Sequence, residues 1–246
     1  SRKKPSIVIL ADRDKVEMED EIKATMPELR NTRVICRSGD PTDLYDLEIV
    51  NPQTCRSVIV LSPEGDDPDS QVIKSVLALV NHPKRRADAY QIAAEIREDA
   101  NVGVARAVGG DELQIVLADD LISRIVVHSS RQAGLSAVYS ELLDFDGCEI
   151  YTLPQPALTG STFGAALSAC DNATVIGVCD AAGKVRLNPA MDRPLAEGEQ
   201  LIMIAEDDAS IRLAPAQASE DGAIVAPNRV EAGAERTLIL GWNRRG

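Results

Sequence analysis

The chain has 246 residues, of which 44% are hydrophobic and 26% are charged. This composition is that of a folded globular protein and excludes a disordered or low-complexity chain. An excess of 39 acidic over 26 basic side chains gives a net charge of −13, which would repel phosphate backbones, so we expect no nucleic-acid partner. No apolar run approaches the roughly 20 residues that cross a bilayer, so we expect no membrane contact by this stretch of chain.

The first half of the sequence alternates β-branched runs with amphipathic stretches, a pattern typical of a parallel sheet covered by helices. The predicted strands are residues 6–10, 32–36, 57–61, 90–95 and 113–117. The predicted helices between them are residues 14–25, 41–49, 70–80 and 99–108. We expect Asp40 to cap the second helix, with Pro41 at its first position. The fold class predicted for this part is α/β.

A helical hairpin is predicted next, from residue 119 to 145, with a break at residues 132–134. Its first helix carries apolar side chains at Leu121, Ile122, Ile125 and Val126. This is more apolar surface than a lone domain needs, so we expect the hairpin to pack against a partner. A small α+β unit follows, with a helix at 162–167 and short strands at 149–153, 173–179, 184–187 and 200–204.

The last part of the sequence changes character twice. Residues 213–235 are rich in Ala, Pro, Gly and charged side chains without periodicity, which predicts a linker. Residues 236–246 then form an apolar run that ends in a glycine-bearing turn. A single strand cannot be a domain, so we expect it to begin another sheet or to complete a sheet in cis or in trans.

The cysteines and histidines do not predict a metal site. The five cysteines are an odd number and none forms a CxxC pair, while His82 and His128 are far apart in the sequence. This pattern favours reduced thiols in a cytosolic protein over disulfides or a zinc site.

Several segments in this order resemble the RCK (KTN/TrkA-like) regulatory domains of the CASTOR/POLLUX ion-channel family and its bacterial relatives. The N-terminal ones are residues 7–19 (IVILADRDKVEME), 33–41 (RVICRSGDP) and 57–64 (SVIVLSPE). The later ones are residues 141–146 (ELLDFD), 185–189 (VRLNP), 204–208 (IAEDD) and the dipeptide Gly241-Trp242.

The resemblance implies a Rossmann-like parallel-sheet lobe, a helix-turn-helix crossover and a small α+β C-terminal lobe. The implied order is an RCK N-lobe at 1–117, a crossover hairpin at 118–146, a C-lobe at 147–212, a linker at 213–235 and the first strand of a following RCK unit at 236–246. The N-lobe's own first strand and Gly-rich loop, and the pore domain, would precede Ser1. The hairpin would form homo-oligomer contacts in a gating ring, in a cytoplasmic domain of a membrane-associated protein.

The family resemblance implies a nucleotide such as NAD as one candidate ligand. Asp12 follows the first strand, where Rossmann-type folds place an acid that binds a ribose diol. Arg13 and Arg37 could contact phosphate, and Gly39 and Asp40 would lie near the adenine. The alternative for Asp12 and Asp14 is that they cap the next helix, and the alternative for Asp40 is also capping.

Calcium is the second candidate ligand, because hard cations take carboxylate oxygens and several RCK rings are calcium-gated. The candidate ligands are the acidic loop residues Glu64, Asp66, Asp67 and Asp69, together with Glu95 at the end of the fourth strand. The alternatives are that the loop is a solvated surface and that the later acidic run Glu206-Asp207-Asp208 caps a short segment.

No arrangement in the sequence predicts catalysis: GxSxG is absent, and no cysteine has a histidine nearby. We therefore expect no enzyme activity, and the family resemblance implies a ligand-sensing gating module that couples calcium or nucleotide binding to conformational change in an ion channel or transporter. Two alternatives stay open, a nucleotide-dependent oxidoreductase-like domain and an assembly module without a ligand.

Overall fold

The computed structural model describes residues 5–29, 31–144, 147–214 and 236–241. The predicted linker lies outside these residues except for its first two positions, and so do residues 242–246 of the predicted last strand. The chain divides into two compact units, one up to Arg124 and one from Ile125. No helix in the described ranges is both long and apolar enough to cross a membrane.

The first unit alternates strands and helices, and all of its strands pair in parallel, which confirms the predicted α/β class. Strands β1 and β2 form one sheet, and β3, β4 and β5 form another with β4 in the middle. The elements are β1 (Ser6–Ala11), α1 (Lys15–Thr25), β2 (Arg33–Ser38), α2 (Leu44–Val50), β3 (Val58–Val60), α3 (Pro68–Val80), β4 (Ile92–Ile96), α4 (Val102–Gly109) and β5 (Leu113–Leu117).

The core of this unit lies between α3 and β4. Val72, Val76 and Leu79 repeat at helical spacing along one face of α3, and each is at most 2% exposed. They pack in one cluster with the completely buried Ile92 and Ile96 of the central strand. The alternation along β4 therefore sends every second residue into this core.

The prediction that Asp40 caps a helix beginning at Pro41 is wrong. Helix α2 begins at Leu44, and its N-cap is Asp43, whose side chain accepts hydrogen bonds from the backbone N–H groups of Tyr45 and Asp46. The Asp40 carboxylate instead accepts from the N–H and hydroxyl of Thr42. Asp40 thus stabilises a turn that precedes α2 instead of capping the helix. The sequence does not distinguish the two roles, because an aspartate accepts from backbone N–H groups two or three residues downstream both in a turn and at an N-cap.

Strands β1 and β3 each have one edge without a pairing strand among the described residues. Apolar side chains are exposed on both, with Ile7 at 53% and Ile59 at 71%. Residues 236–241, predicted as a strand, have no strand pairing here, and Leu238, Ile239 and Leu240 are exposed. A strand needs a neighbouring backbone to bond to, and this apolar run has none within the described chain.

The second unit begins within α5 (Ala118–Arg131), and its elements agree closely with those predicted. Its antiparallel sheet has the order β6-β9-β7-β8. The elements are α6 (Leu135–Leu143), β6 (Glu149–Pro154), α7 (Phe163–Leu167), β7 (Thr174–Cys179), β8 (Val185–Leu187) and β9 (Gln200–Ala205).

The core of the second unit is built around α7 and β9. Phe163 and Met203 are completely buried, and they cluster with Val175, Val178 and Leu201 of the sheet. Thr162 caps α7 by accepting a hydrogen bond from the Ala165 N–H. After β9, Asp207 accepts from the Ala209 N–H, which confirms the capping role expected for this acidic run.

Candidate functional site

The carboxyl ends of β1 and β2 form the first candidate site. Leu10 pairs in register with Arg37 and Ala11 with Ser38, and the Gly39 N–H donates to the Ala11 carbonyl at 3.0 Å. Asp12 and Gly39 therefore leave adjacent strand ends, since the strands are parallel and end together. In open α/β sheets this is the edge at which ligands bind.

Gly39 has no room for a side chain. A Cβ atom there would lie 2.9 Å from Leu10 Cδ1 and 3.0 Å from Asp46 Oδ2. The same Asp46 oxygen accepts a hydrogen bond from the Asp40 N–H at 2.8 Å. The turn after β2 is thus held against the start of α2, with its backbone close to the strand ends.

The two basic side chains at this edge differ in how they are held. Arg13 forms an ion pair with Glu21 at 3.0 Å, and both side chains are more than half exposed. Such an exposed pair contributes about 0–1 kcal/mol and can be exchanged for another anion at little cost. Arg37 Nη1 donates to the Cys36 carbonyl at 2.9 Å. Both guanidinium groups therefore keep N–H donors for a phosphate or carboxylate.

The two aspartates that follow β1 have separate positions. Asp14 is the N-cap of α1, because its Oδ1 accepts from the Val16 and Glu17 N–H groups at 2.8 and 3.1 Å. The capping interpretation is confirmed for Asp14. Asp12 lies exposed immediately after β1, at the position where a ribose ligand would be expected.

The acidic loop before α3 does not gather its carboxylates into one donor set. Glu64 and Asp66 are exposed, while Asp67 is the N-cap of α3 and accepts from the Ser70 N–H at 3.4 Å. Across the described parts of the chain, no three or more His, Cys, Asp or Glu side chains come close enough to hold a metal ion. Calcium binding therefore stays a prediction without a preformed site.

Asp69, predicted as a calcium ligand, is bonded to the protein instead. Its side chain is buried, with 2% exposure, and it accepts hydrogen bonds from the Arg97 N–H (2.9 Å), the Glu98 N–H (3.0 Å) and Asn101 Nδ2 (2.8 Å). Burial alone would raise the pKa of the Asp69 carboxyl, but these three donors outweigh it and hold that pKa below its ordinary value. Asp69 therefore fixes the segment after β4 to the start of α3.

Glu95 is also bonded to the protein. Its Oε2 accepts from the Ser62 N–H at 3.0 Å, and its Oε1 lies 3.9 Å from Arg97 Nε. Arg97 in turn donates to the carbonyls of Ser62 and Pro63. Glu95 and Arg97 thus join the ends of β3 and β4. The Arg97 guanidinium would repel a metal ion bound at Glu95.

Sequence reasoning missed three residues that organise these two edges. Asp43 and Asp46 hold the start of α2, and Asn101 completes the donor set around Asp69. An acid at the N-cap followed by another in the first turn is typical of a helix start, so the spacing of Asp43 and Asp46 could have placed the beginning of α2. No sequence signal indicated that Asn101 meets Asp69, because 32 residues separate them.

The hairpin helices present apolar side chains to solvent. None of the 14 residues of α5 is buried, and Leu121 and Val126 are 47% and 62% exposed. Val138 and Leu143 of α6 are also at least half exposed. An amphipathic helix whose apolar stripe stays exposed indicates a surface for a partner.

The sequence comparisons agree on one family. The family model described as Castor and Pollux, part of voltage-gated ion channel, matches residues 119–221. The chain is 34% identical over 243 residues to "Probable ion channel CASTOR" of Oryza sativa subsp. japonica, covering 97% of this chain and 27% of that protein. It is 33% identical over 243 residues to "Ion channel CASTOR" of Lotus japonicus, covering 97% and 28%. The resemblance inferred from the sequence is confirmed.

A solved structure shares the fold of this chain. The structure titled "Structure of the human SLO3 gating ring" is similar with a TM-score of 0.58 and 16% identity, over 83% of this chain and 40% of that chain. At this identity the likeness establishes the fold alone. The chain spans about a quarter of the length of the curated relatives it matches.

Proposed function

Because this chain is a relative of the CASTOR and POLLUX ion channels, we propose that it is a cytoplasmic gating module of such a channel. The module couples the binding of a small charged ligand to a conformational change in an RCK assembly. The observation that carries the proposal is the alignment of 97% of the chain with CASTOR at 34% identity. A ligand that binds one arrangement more tightly shifts the assembly toward it.

The proposed ligand site is the edge formed by Asp12, Arg13, Arg37, Gly39 and Asp40. The close approach of the Gly39 backbone and the exposed Asp12 carboxylate suit an adenine nucleotide such as NAD. Arg13 and Arg37 supply positive charge in a chain of net charge −13. Calcium is the other candidate ligand. Its binding would require the carboxylates of the loop before α3, which are now apart, to move together.

The nucleotide proposal predicts a binding loss on neutralising Asp12. We expect NAD to give a saturable heat with the wild-type chain, and Asp12→Asn to weaken its affinity about tenfold or more, because a ribose diol loses its charged acceptor. Isothermal titration calorimetry measures both. Asp20→Asn, an exposed acid on α1, is the matched control and should bind as the wild type does.

Two other results of this titration would count against the nucleotide. A saturable heat with calcium but none with NAD would move the ligand to the acidic loop, where Asp66→Asn should reduce it. If neither ligand gives heat, the gating proposal is contradicted and an assembly module without a ligand is favoured.

The proposed assembly surface is the exposed apolar stripe of α5 and α6, which homo-oligomer contacts would cover. We expect the double variant Leu121→Glu/Val126→Glu to dissociate the oligomer, because two charges would be buried in an apolar contact. Light scattering coupled to size exclusion measures the mass. Ser130→Glu, an exposed position on the same helix, should leave the mass unchanged.

The expected wild-type mass is a dimer or a larger multiple of the chain. A wild-type chain that is monomeric at every concentration, or a double variant that keeps the wild-type mass, would contradict the assigned surface.

A further inference from the structure

Asp12 and Arg13 give opposite indications about the ribose that the proposed nucleotide site would hold. In Rossmann-type folds an acid at this position binds a free 2′-hydroxyl, as in NAD, whereas an arginine nearby accommodates a 2′-phosphate, as in NADP. Here the two residues are adjacent and directly follow β1. The sequence alone therefore does not decide between a ribose with a free 2′-hydroxyl and one with a 2′-phosphate.

The structure shows that Arg13 is already paired with an anion of the protein. Its Nη2 lies 3.0 Å from Oε2 of Glu21, which is about two turns into α1. The positive charge of the guanidinium is thus balanced by a carboxylate on the helix that follows it. A 2′-phosphate could use Arg13 only by displacing Glu21.

The charges beside this pair also disfavour a phosphate. Asp12 is exposed and precedes Arg13, and Asp14 follows it as the N-cap of α1. Lys15, the other cation at the start of α1, has its Nζ 3.6 Å from Oε1 of Glu19. A phosphate group brings about 1.5 to 2 negative charges at pH 7. It would enter a region in which both cations are already paired with carboxylates.

We propose that Glu21 is a specificity-determining residue of the nucleotide site. By pairing with Arg13, it leaves the Asp12 carboxylate to select a free 2′-hydroxyl and withholds the guanidinium from a 2′-phosphate. The site therefore accepts nucleotides of the NAD class and discriminates against those of the NADP class. This inference rests on the proposed nucleotide function and names the class of ligand that the same site takes.

Replacing Glu21 by glutamine keeps the length and polarity of the side chain and removes its charge. Because the ion pair is exposed, its release should raise the affinity for NADP by up to about fivefold and change the affinity for NAD by less than about twofold. The gain for NADP should shrink at about 0.5 M salt, because exposed charges are then screened.

Isothermal titration calorimetry of the whole chain with NAD and with NADP tests this specificity. The wild type should bind NAD more tightly than NADP, and Glu21→Gln should narrow that difference by strengthening NADP alone. The matched control is Glu19→Gln, which removes the same charge from α1 but leaves Arg13 paired, and it should bind both dinucleotides as the wild type does. The double variant Arg13→Gln/Glu21→Gln should lose the gain, because the released guanidinium is then absent.

The inference is overturned by a wild type that binds NADP at least as tightly as NAD, or by an unchanged NADP affinity in Glu21→Gln. An equal gain in Glu19→Gln would also overturn it, because net charge alone would then explain the effect. So would a gain that persists in the double variant, because Arg13 would then not be the group released.

A second readout needs no nucleotide, so it separates the failure of this inference from that of the proposed function. The Nε–H signal of Arg13 in ¹H–¹⁵N spectra, assigned by its loss in Arg13→Gln, is followed during titration with inorganic phosphate. It should shift at a lower phosphate concentration in Glu21→Gln than in the wild type. Equal shifts would overturn the role of Glu21 even if NAD binds, whereas the expected difference without binding of either dinucleotide would contradict the proposed nucleotide site.

Discussion

Replacement of Asp69 by alanine is expected to destabilise the first unit by about 2–4 kcal/mol, because it removes the buried acceptor shared by three hydrogen bonds, and the part-buried donors recover only some of that loss by bonding to water. The donors are the N–H groups of Arg97 and Glu98 and the Asn101 amide, and all three point at this one buried carboxylate. Urea unfolding of the wild-type and variant chains measures the loss. The loss should be the same with and without calcium, since the carboxylate bonds to protein donors.

The matched control for Asp69→Ala is Asp66→Ala, an exposed acid in the same loop. It should change stability by less than about 0.5 kcal/mol. If Asp69→Ala were as mild as the control in the absence of calcium but removed a calcium-dependent stabilisation, Asp69 would be a metal ligand and the structural account of it would be wrong.

The same carboxylate makes stability depend on pH in the acid range. The pKa of Asp69 is lowered in the folded chain, so its stabilisation is fully present above the unfolded value of about 4 and is lost as the pH falls through the folded value. The difference in stability between the wild type and Asp69→Ala should therefore be constant from pH 7 to 5 and shrink below about pH 4. A difference that grows on acidification would have the wrong sign.

Replacement of Phe163 by alanine should destabilise the second unit by about 3–5 kcal/mol, the range for removing a large buried aromatic side chain. Phe163 is completely buried at the start of α7, against Met203 and Leu201 of β9. The cavity would open between helix and sheet, where the backbone is fixed by hydrogen bonds from Phe163 N to Arg193 O and from Gly164 N to Met191 O. Urea unfolding followed by circular dichroism measures the loss.

Leu167→Ala, at the other end of the same helix, is the control for Phe163→Ala. Leu167 is 39% exposed, so it should cost about 1 kcal/mol or less. Equal losses for the two variants would mean that Phe163 does not anchor this core.

The sequence predicts most of the fold because hydrophobic periodicity is local. The buried alternation of β4 and the repeat of Val72, Val76 and Leu79 along α3 can be read from neighbouring residues. The start of α2 was misplaced because Asp40 and Asp43 have the same local chemistry, and only the structure distinguishes a turn from a cap. Residues 236–241 have no pairing strand in the described chain, and their assignment as the first strand of a following unit stays a prediction, because strand propensity does not supply a pairing partner.

The candidate sites were less predictable than the fold, because they depend on contacts between distant segments. Asp12 and Gly39 do follow adjacent strand ends, since parallel strands end together, but their role in binding a ligand stays a prediction. The sequence could not foresee that Asp69 meets donors about 30 residues away, or that Glu95 meets Ser62. A cluster of carboxylates can be recognised in a sequence, but their hydrogen-bond partners cannot. Those partners decide whether a carboxylate is available to a ligand or is already bonded to the protein.

Hydrogen exchange along the whole chain, recorded during titration with NAD and separately with calcium, tests the proposed coupling most directly. A gating module should show protection at the β1–β2 edge with NAD, or in the acidic loop with calcium, together with a change in exchange along α5 and α6. The account is contradicted if saturating ligand leaves the hairpin helices unchanged, or if neither ligand alters exchange anywhere in the chain.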